Sequence, residues 1–312
     1  PPAKVVKGAI EAARVHKADG VIGFGGGSSM DTAKVIACLI NSSQTLEEIY
    51  GMDQVRGARV PLVLLPTTSG TGSEVTNISV ITTDDDQKMG VLGPQLYADL
   101  AVLDASLTLS MPRHVTSATG IDAMVHAIEA YTTKFKKNPV SDALATKALK
   151  LLSSNIQAAC DTPDDIEARE AMLLGAMLAG QAFANAPCAA VHAMAYPLGV
   201  HFHVPHGLAN ALMLAPVLRF NTPAAAPLYA ELGDVIGANA TGDFEARAES
   251  FVAKMTEICA ATGVKSRLSE VGVSHNVLPK LAEDAVKIER LMKNNPRPVA
   301  YDDALALYTE VL

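Results

Sequence analysis

The pattern of apolar residues changes about one third of the way along the chain, and this change limits the folds that are possible. In the first part, short apolar runs such as GVIGFGGG and VPLVLLPTT alternate with helix-like segments. Buried strands separated by helices are typical of an α/β domain with a largely parallel sheet. The remainder consists of long helical segments rich in alanine, leucine and methionine, without a further convincing strand. An α/β domain followed by an all-helical domain is therefore predicted.

The length of 312 residues also favours two domains, because single hydrophobic cores rarely grow beyond roughly 250–300 residues. The turn-like segment ASLTLSMPR separates the two patterns, which places the boundary within residues 106–112. We predict an α/β domain at residues 1–108 and an all-helical domain at residues 109–312.

The charge balance argues against nucleic acid as a partner, since 25 basic and 33 acidic residues give a net charge of −8 without any basic block. The longest apolar run, near 171–184, is broken by glycines and Gln181 and falls short of the roughly 20 residues that span a bilayer. No signal peptide is recognisable at the N-terminus, and the cysteines form no CxxC pair. We expect reduced thiols, a cytoplasmic location and small-molecule partners.

A glycine-rich turn, GFGGGSSMD, follows the first apolar strand and opens a helix. Glycines at this place allow close backbone approach, and the helix N-terminus behind them favours an anion such as a pyrophosphate. Gly26, Gly27 and Ser28 are the candidate contacts, with Asp31 beside them. The alternative is a plain tight turn in which Ser28 is the N-cap and Asp31 occupies the capping-box position.

A second polar loop, PTTSGTGSEVT, follows the next apolar run. Thr67, Thr68, Thr71 and Thr76 could offer hydroxyl groups to phosphate or ribose. The alternative is a long turn in which Thr71 and Glu74 form another capping box. Because open α/β sheets bind ligands at the carboxyl ends of their strands, two such loops together favour a ligand site.

Asp122 and His126 stand four residues apart in the helical segment TGIDAMVHAIEAY, so both project from one helix face. Such a spacing is more often a surface pair than a metal site. The alanine-rich surroundings indicate burial, however, where an unpaired carboxylate and imidazole would be costly. His192 and His206 offer a complement, and one carboxylate with up to three imidazoles would suit a divalent first-row metal with an open position for substrate.

His201 and His203 offer a competing metal pair, because the two side chains of an HxH sequence share a face if the segment is extended. Zinc hydrolases use such pairs on the strands of a barrel. This sequence contains no barrel pattern, which weighs against the assignment.

Taken together, these motifs resemble the iron-containing (group III) alcohol dehydrogenases over essentially the whole chain. That family implies a Rossmann-like dinucleotide-binding domain, followed by an all-helical catalytic domain of dehydroquinate synthase-like architecture. The resemblance rests on GGGSSMDTAK, PTTSGTGSEVT, ATGIDAMVHAIEAYT, VHAMAYPLG, VPHGLANALMLAPVL and MKNNPRPVAYDDALALY.

The resemblance also implies roles for individual residues. Asp122, His126, His192 and His206 would be the metal ligands, which leaves His201 and His203 outside the ligand set. Gly26, Gly27 and Ser28 would contact the cofactor pyrophosphate. The cofactor cleft would be lined by Thr67, Thr68, Thr71 and Thr76 and flanked by Lys88 and Leu107.

Two departures from the family pattern affect these expectations. Family members usually begin several tens of residues earlier, so the chain is expected to be truncated before its first strands. The residue that reads the adenosine 2′ group lies in that region, which leaves NAD and NADP as alternatives. Tyr196 also stands where several relatives carry a histidine that relays a proton, and a phenol relays protons less well near neutral pH. Tyr196, His201 and His203 are therefore the candidate catalytic residues.

The expected activity is reversible hydride transfer between a small primary alcohol or diol and NAD or NADP. Fe²⁺ is the expected metal, with Zn²⁺ and Mn²⁺ as alternatives because the same ligands bind them. A homo-oligomer, dimeric or larger, is expected from the family. The alternative functions are a maleylacetate reductase-like oxidoreductase, a dehydroquinate synthase-like lyase and a non-catalytic metal- or nucleotide-binding module.

Overall fold

The computed structural model describes residues 1–85, 87–238 and 240–312. All of the strands lie in the first third of the chain, at β1 (Val21–Gly25), β2 (Gly51–Met52), β3 (Leu62–Pro66), β4 (Ile78–Thr82), β5 (Lys88–Leu92) and β6 (Leu100–Ala101). The helices are α1 (Ala3–His16), α2 (Gly27–Leu39), α3 (Arg113–Thr132), α4 (Pro139–Asp161), α5 (Ile166–Asn185), α6 (Ala190–Phe202), α7 (His206–Val235), α8 (Phe244–Thr262), α9 (Leu278–Val286), α10 (Glu289–Met292) and α11 (Tyr301–Glu310). The predicted α/β and all-helical parts are both present.

The strands form two small sheets. Strands β1, β3 and β6 are parallel in the order β1-β3-β6, and Gly25 pairs with Pro66 at the end of the first ladder. The glycine-rich turn and the threonine-rich loop therefore leave the sheet side by side. The second sheet has the order β2-β5-β4, in which β4 and β5 are antiparallel. Strand β5, which begins at Lys88, had no sequence signal in the pattern above.

Helix α2 covers one face of the parallel sheet, where Met30 and Ala33 pack with Leu62 and Leu64. The opposite face of β1 is open, with Ile22 71% exposed and Phe24 57% exposed. The expectation that this apolar run is a buried strand therefore holds for only one face of β1. Because strand side chains alternate between the two faces, Ile22 and Phe24 point to the exposed side, whereas Gly23 lies against Met30 and Ala33 of α2.

Helix α3 lies at the centre of the all-helical part, against α4, α5 and α7. A continuous stretch from Gly120 to Ala130 is buried, so this helix is covered all round and has no solvent face. Alanine and glycine at many of its positions keep neighbouring helices close. Gly120, for example, has Met172 and Ile156 where a side chain would lie. Polar side chains on α3 are consequently forced into the protein interior.

Neither of the two capping arrangements considered as alternatives forms. Helix α2 begins at Gly27 with Gly26 as its N-cap, so neither Ser28 nor Asp31 has the predicted capping role. In the second loop a short 3-10 turn begins at Ser73 after Gly72, whose φ of 60° places it in the left-handed region. The Thr71–Glu74 capping box does not form, because the close packing of both loops selects glycine at the turn positions.

No single helix in the described ranges is both long and apolar enough to cross a membrane. The pair formed by α5 and α6 passes the same test of length and composition, with a bend of 105° between the two helices.

Candidate metal centre and adjoining cleft

Four side chains from three helices meet in the helical part of the molecule. Helix α3 supplies Asp122 and His126, α6 supplies His192, and α7 begins at His206. One potential ligand atom from each residue lies within 4.8 Å of those from the other three. The Nε2 atoms of His192 and His206 are 3.8 Å and 3.7 Å from Asp122 Oδ1. The structure thus brings together all four residues predicted as ligands.

Close packing of α7 on α3 places His206 beside Asp122. Gly207 makes this approach possible, because a Cβ on that residue would overlap the carbonyl group of Ala118 and lie 3.3 Å from Asp122 Cβ. Two residues of the sequence PHG therefore shape the start of α7. Proline precedes the helix as its N-cap, and glycine allows the first turn to sit against α3.

Several buried polar atoms of this cluster lack a hydrogen-bond partner among the described residues. They are His126 Nδ1, His192 Nε2 and Asn210 Oδ1. Leaving a buried polar atom unpaired costs about 1–3 kcal/mol. Unpaired polar atoms on or beside four potential ligand side chains are the expected signature of a site that a further group completes.

Glu129 holds His192 in the orientation that exposes its Nε2 lone pair. The imidazole Nδ1 donates to Glu129 Oε2 at 2.6 Å, and the same carboxylate accepts the backbone N–H groups of Ala189 at 2.9 Å and Val191 at 2.7 Å. Metal-binding histidines commonly have such a carboxylate partner. Our sequence reasoning missed Glu129. A signal was present, since Asp122, His126 and Glu129 have the spacing i, i+4, i+7 of one helix face.

The electrostatics of the cluster favour neutral rings at His126 and His206 and an ionised Asp122. At His192 burial lowers the pKa, but Cys188 and the Glu129 carboxylate outweigh it and raise the pKa above its ordinary value. Burial lowers the pKa of His126 to about 3 and the pKa of His206 to about 4, so both rings are uncharged near neutral pH. Burial opposes ionisation of Asp122, but the imidazoles, His206 first among them, outweigh it and hold the carboxyl pKa below its ordinary value. Neutral imidazole and carboxylate are the forms that bind metals.

The two loops at the carboxyl ends of β1 and β3 face each other. A Cβ on Gly27 would lie 2.8 Å from Thr71 Cγ2, and one on Gly26 would lie 3.4 Å from Thr68 Oγ1. The Thr67 N–H donates to the Gly25 carbonyl at 2.9 Å, which joins the loops at their base. Ser28 is exposed in the first turn of α2. These groups lie at the N-terminus of α2, and we call the space that the two loops border the cleft.

The threonine-rich loop also contacts the helical part. A Cβ on Gly70 would lie 2.7 Å from Thr119 Cβ, one turn before Asp122 on α3. Gly72 packs against Gly180 of α5, where a Cβ would lie 2.5 Å from the Gly180 Cα. Because both residues are glycines, the two backbones touch directly, and this contact places the cleft next to the metal-ligand cluster.

Asp31 and Thr76 have their side chains engaged inside the protein. Asp31 Oδ1 accepts from the Ser73 hydroxyl at 2.6 Å, and Oδ2 accepts from the Val80 N–H at 2.9 Å. Thr76 is buried and accepts from the ammonium group of Lys34 at 3.1 Å. These bonds tie α2 to the loop and to β4. Leu107 is half-buried in the 3-10 turn Ala105–Thr108 that precedes α3.

Tyr196 lies at the edge of the cluster, with its ring centroid 6.0 Å from that of His206. The other two candidate catalytic residues are exposed. His201 pairs with Asp284 of α9, Nε2 to Oδ2, at 2.8 Å, and His203 ends α6 in the left-handed region at φ 52°. The extended HxH pair is therefore wrong, since the segment is helical to Phe202.

Comparisons with known proteins agree with this geometry. A family model described as "Iron-containing alcohol dehydrogenase" matches residues 1–105. A second, described as "Fe-containing alcohol dehydrogenase family, C-terminal", matches residues 116–312. This chain belongs to the iron-containing alcohol dehydrogenase family.

Relatives within the iron-containing alcohol dehydrogenase family differ in the substrates that their names give. Long-chain-alcohol dehydrogenase 1 of Geobacillus thermodenitrificans is 38% identical over 99% of this chain and 78% of its own length. A solved 1,3-propanediol oxidoreductase superposes with a TM-score of 0.97 at 32% identity, over 100% of this chain and 82% of the other. Sulfoacetaldehyde reductase from Bifidobacterium kashiwanohense, solved with NAD⁺, has a TM-score of 0.88 at 28% identity, over 100% and 81%. These matches show that the chain is an oxidoreductase of this family that acts on alcohols.

Proposed function

We propose that this chain is a metal-dependent dehydrogenase that transfers hydride reversibly between a small primary alcohol or diol and NAD or NADP. The observation that carries the proposal is the cluster of one carboxylate and three imidazoles, in which His206 is half-buried and the other three residues are buried. This cluster lies beside a cleft lined by glycine and threonine. Side chains that hold a metal and a loop that accepts a dinucleotide are thus neighbours, as hydride transfer between substrate and cofactor requires.

The residues of the cluster fit a divalent metal. Two unpartnered imidazole nitrogens converge there, and the low pKa values of His126 and His206 keep these rings neutral. We assign Asp122, His126, His192 and His206 as ligands and Fe²⁺ as the metal, on the strength of the family; Zn²⁺ and Mn²⁺ suit the same donors. A bound metal of this kind supplies Lewis acidity at the oxygen of the substrate.

The cofactor is assigned to the cleft between the two loops. Backbone N–H groups at Gly26, Gly27 and Ser28 begin α2, where the helix dipole favours a pyrophosphate. Thr67, Thr68 and Thr71 border this position. We give Asp31 and Thr76 a supporting role, because their side chains hold the loop to α2 and β4. Lys88 and Leu107 are proposed to flank the nicotinamide end.

Proton handling is assigned to the hydroxyl of Tyr196. It is the candidate catalytic residue nearest the cluster, and its oxygen accepts a hydrogen bond from Arg290 at 3.1 Å. That bond orients the phenol and leaves its own proton available to a neighbouring oxygen. His201 and His203 stay candidates only for proton transfer to bulk water, because both are exposed.

The direct test uses protein stripped of metal with a chelator and then supplied with Fe²⁺, Zn²⁺ or Mn²⁺. We expect NADH or NADPH absorbance to fall with short aldehydes only after metal is restored. Full activity in the stripped protein would favour the maleylacetate reductase-like alternative. Absence of turnover with every metal and both cofactors would contradict the proposal for this chain.

The proposal extends to location and assembly. Cys38, Cys160, Cys188 and Cys259 are free thiols in the structure, which is usual for a protein of the reducing cytoplasm. A homo-oligomer is proposed from the family, and light scattering at two protein concentrations tests it.

A further inference from the structure

Two cationic side chains from different parts of the chain approach the ring of Tyr196. The ammonium nitrogen of Lys88, on β5, is 5.5 Å from the ring centroid, and the guanidinium carbon of Arg290, on α10, is also 5.5 Å from it. Lys88 reaches this position past Gly199, where a Cβ would lie 3.2 Å from its Nζ. The sheet and the helical part thus each place one positive charge beside the residue that borders His206.

Neither cation has an acidic partner in the part of the chain that the structure describes. All ion pairs within 4.0 Å involve other residues. Lys88 is half-buried, and burial lowers the pKa of its ammonium group. Holding an unpaired, partly desolvated cation is unfavourable unless an anion joins it.

Two acidic groups of α9 are already paired with other cations, and Glu289, next to Arg290 on α10, is exposed. Asp284 of α9 binds Lys280 at 2.8 Å and His201 at 2.8 Å. Glu283 binds Lys287 at 2.6 Å. Arg290 uses its Nη2 to donate to the Tyr196 hydroxyl, and its remaining N–H groups have no acceptor within the described ranges. The positive charge beside Tyr196 is therefore not neutralised by the protein.

We infer that Arg290 and Lys88 form a subsite for an anionic group of the substrate, and that the preferred carbonyl substrate is a short aldehyde carrying a sulfonate or carboxylate. This inference rests on the proposed function and narrows its substrate class. The carbonyl oxygen would lie at the cluster of Asp122 and the three histidines. The anionic end would lie beside Tyr196, where Arg290 offers its free N–H groups and Lys88 its ammonium charge. A substrate with a quaternary ammonium group would be disfavoured by the same charges.

Three aldehydes of nearly equal shape test this inference. Sulfoacetaldehyde carries a negative group, tert-butylacetaldehyde a neutral one and betaine aldehyde a positive one. We expect the metal-loaded enzyme to reduce sulfoacetaldehyde with the highest kcat/KM and betaine aldehyde with the lowest. In Arg290→Gln the ratio of kcat/KM between sulfoacetaldehyde and tert-butylacetaldehyde should fall roughly 10- to 100-fold, the range for a lost hydrogen bond to a charged group.

Lys287→Gln is the matched control, because it removes one positive charge from an exposed neighbour of the same segment. Its selectivity ratio should equal that of the unsubstituted protein. Binding of ethanesulfonate, measured by calorimetry on the metal-loaded protein, should weaken in Arg290→Gln and not in the control. An unchanged ratio in Arg290→Gln, or no preference for sulfoacetaldehyde in the unsubstituted protein, would overturn the inference. Failure of all three aldehydes would instead count against the proposed function.

Discussion

The metal-ligand cluster and the cofactor cleft are neighbours, yet the chain builds them in opposite ways. The cluster consists of buried side chains on long helices, and its geometry depends on how those helices cross. The cleft consists mostly of backbone and short side chains in loops that follow strands. Substitutions in the cluster should therefore change chemistry and metal binding. Substitutions in the cleft should change how well the cofactor fits, and compensating substitutions on the facing loop should restore the cofactor affinity.

The largest effect is expected from His206→Ala. This change removes one of the four proposed ligand side chains. Substituting a residue that only hydrogen-bonds to a ligand typically weakens metal binding 10- to 100-fold, so the Kd for Fe²⁺ should rise by more than roughly 100-fold here. His201→Ala is the control, because His201 is exposed and pairs with Asp284. Bound metal per chain, measured after gel filtration, compares the two. Equal metal loss in both variants would break the distinction between the histidine of the cluster and the histidine outside it.

A smaller effect concerns Glu74, which is buried under the threonine-rich loop. Burial raises the pKa of Glu74 from 4.5 to about 7, so the folded protein holds a proton that the unfolded chain releases in this window. The stability that this group contributes is complete below about pH 4.5 and is lost as pH rises through about 7. The loss amounts to about 3 kcal/mol at most, at 1.36 kcal/mol per unit.

Glu74→Gln should remove this pH dependence, since the amide does not titrate. The free energy of unfolding in urea, measured at about pH 5 and pH 7.5 in one metal state, shows the effect as a smaller decline in the variant. Glu249→Gln, at an exposed position of α8, serves as control. An equal decline in the free energy of unfolding in the unsubstituted protein, Glu74→Gln and Glu249→Gln would show that Glu74 is ionised in the folded state.

Glu129→Gln tests how much the hydrogen bond that orients His192 contributes to metal affinity. An amide in place of the carboxylate weakens the bond to His192 Nδ1, and metal affinity should fall roughly 10- to 100-fold. Glu231→Gln provides the comparison, because Glu231 is exposed and accepts only from Tyr131. Titration with Fe²⁺ measures both. An unchanged Kd in Glu129→Gln would mean that the helix alone orients the ring.

The smallest effect is expected in the cleft. A methyl group on Gly27 would lie 2.8 Å from Thr71 Cγ2, so Gly27→Ala should push the loops apart and raise the cofactor Kd about 10-fold. The double variant Gly27→Ala/Thr71→Ser lacks the clashing methyl group and should recover most of the affinity. Fluorescence titration with NADH measures both variants. If the second substitution brings no recovery, the facing loops are not what limits binding.

Much of the architecture was predictable because it depends on local patterns. Apolar runs followed by glycine or threonine predicted β1 and β3. Long segments rich in alanine, leucine and methionine predicted the helices of the later sequence. Short strands were harder, since β5 begins with Lys88 and has little apolar character. The two capping alternatives do not form, because a serine or threonine near a turn is only a local signal. Contact between the loops selected glycine instead.

The sequence by itself determined that Asp122 and His126 share a helix face, and that a glycine turn opens α2, because helical periodicity and turn chemistry act over a few residues. Only the tertiary structure decided which other side chains join them. His192 and His206 meet Asp122, whereas His201 and His203 lie outside the cluster, because α6 ends before His203 and Gly207 lets α7 pack onto α3. Glu129 meets His192 across 63 residues and Arg290 meets Tyr196 across 94. Contacts at such separations follow from helix packing, which a local pattern does not encode.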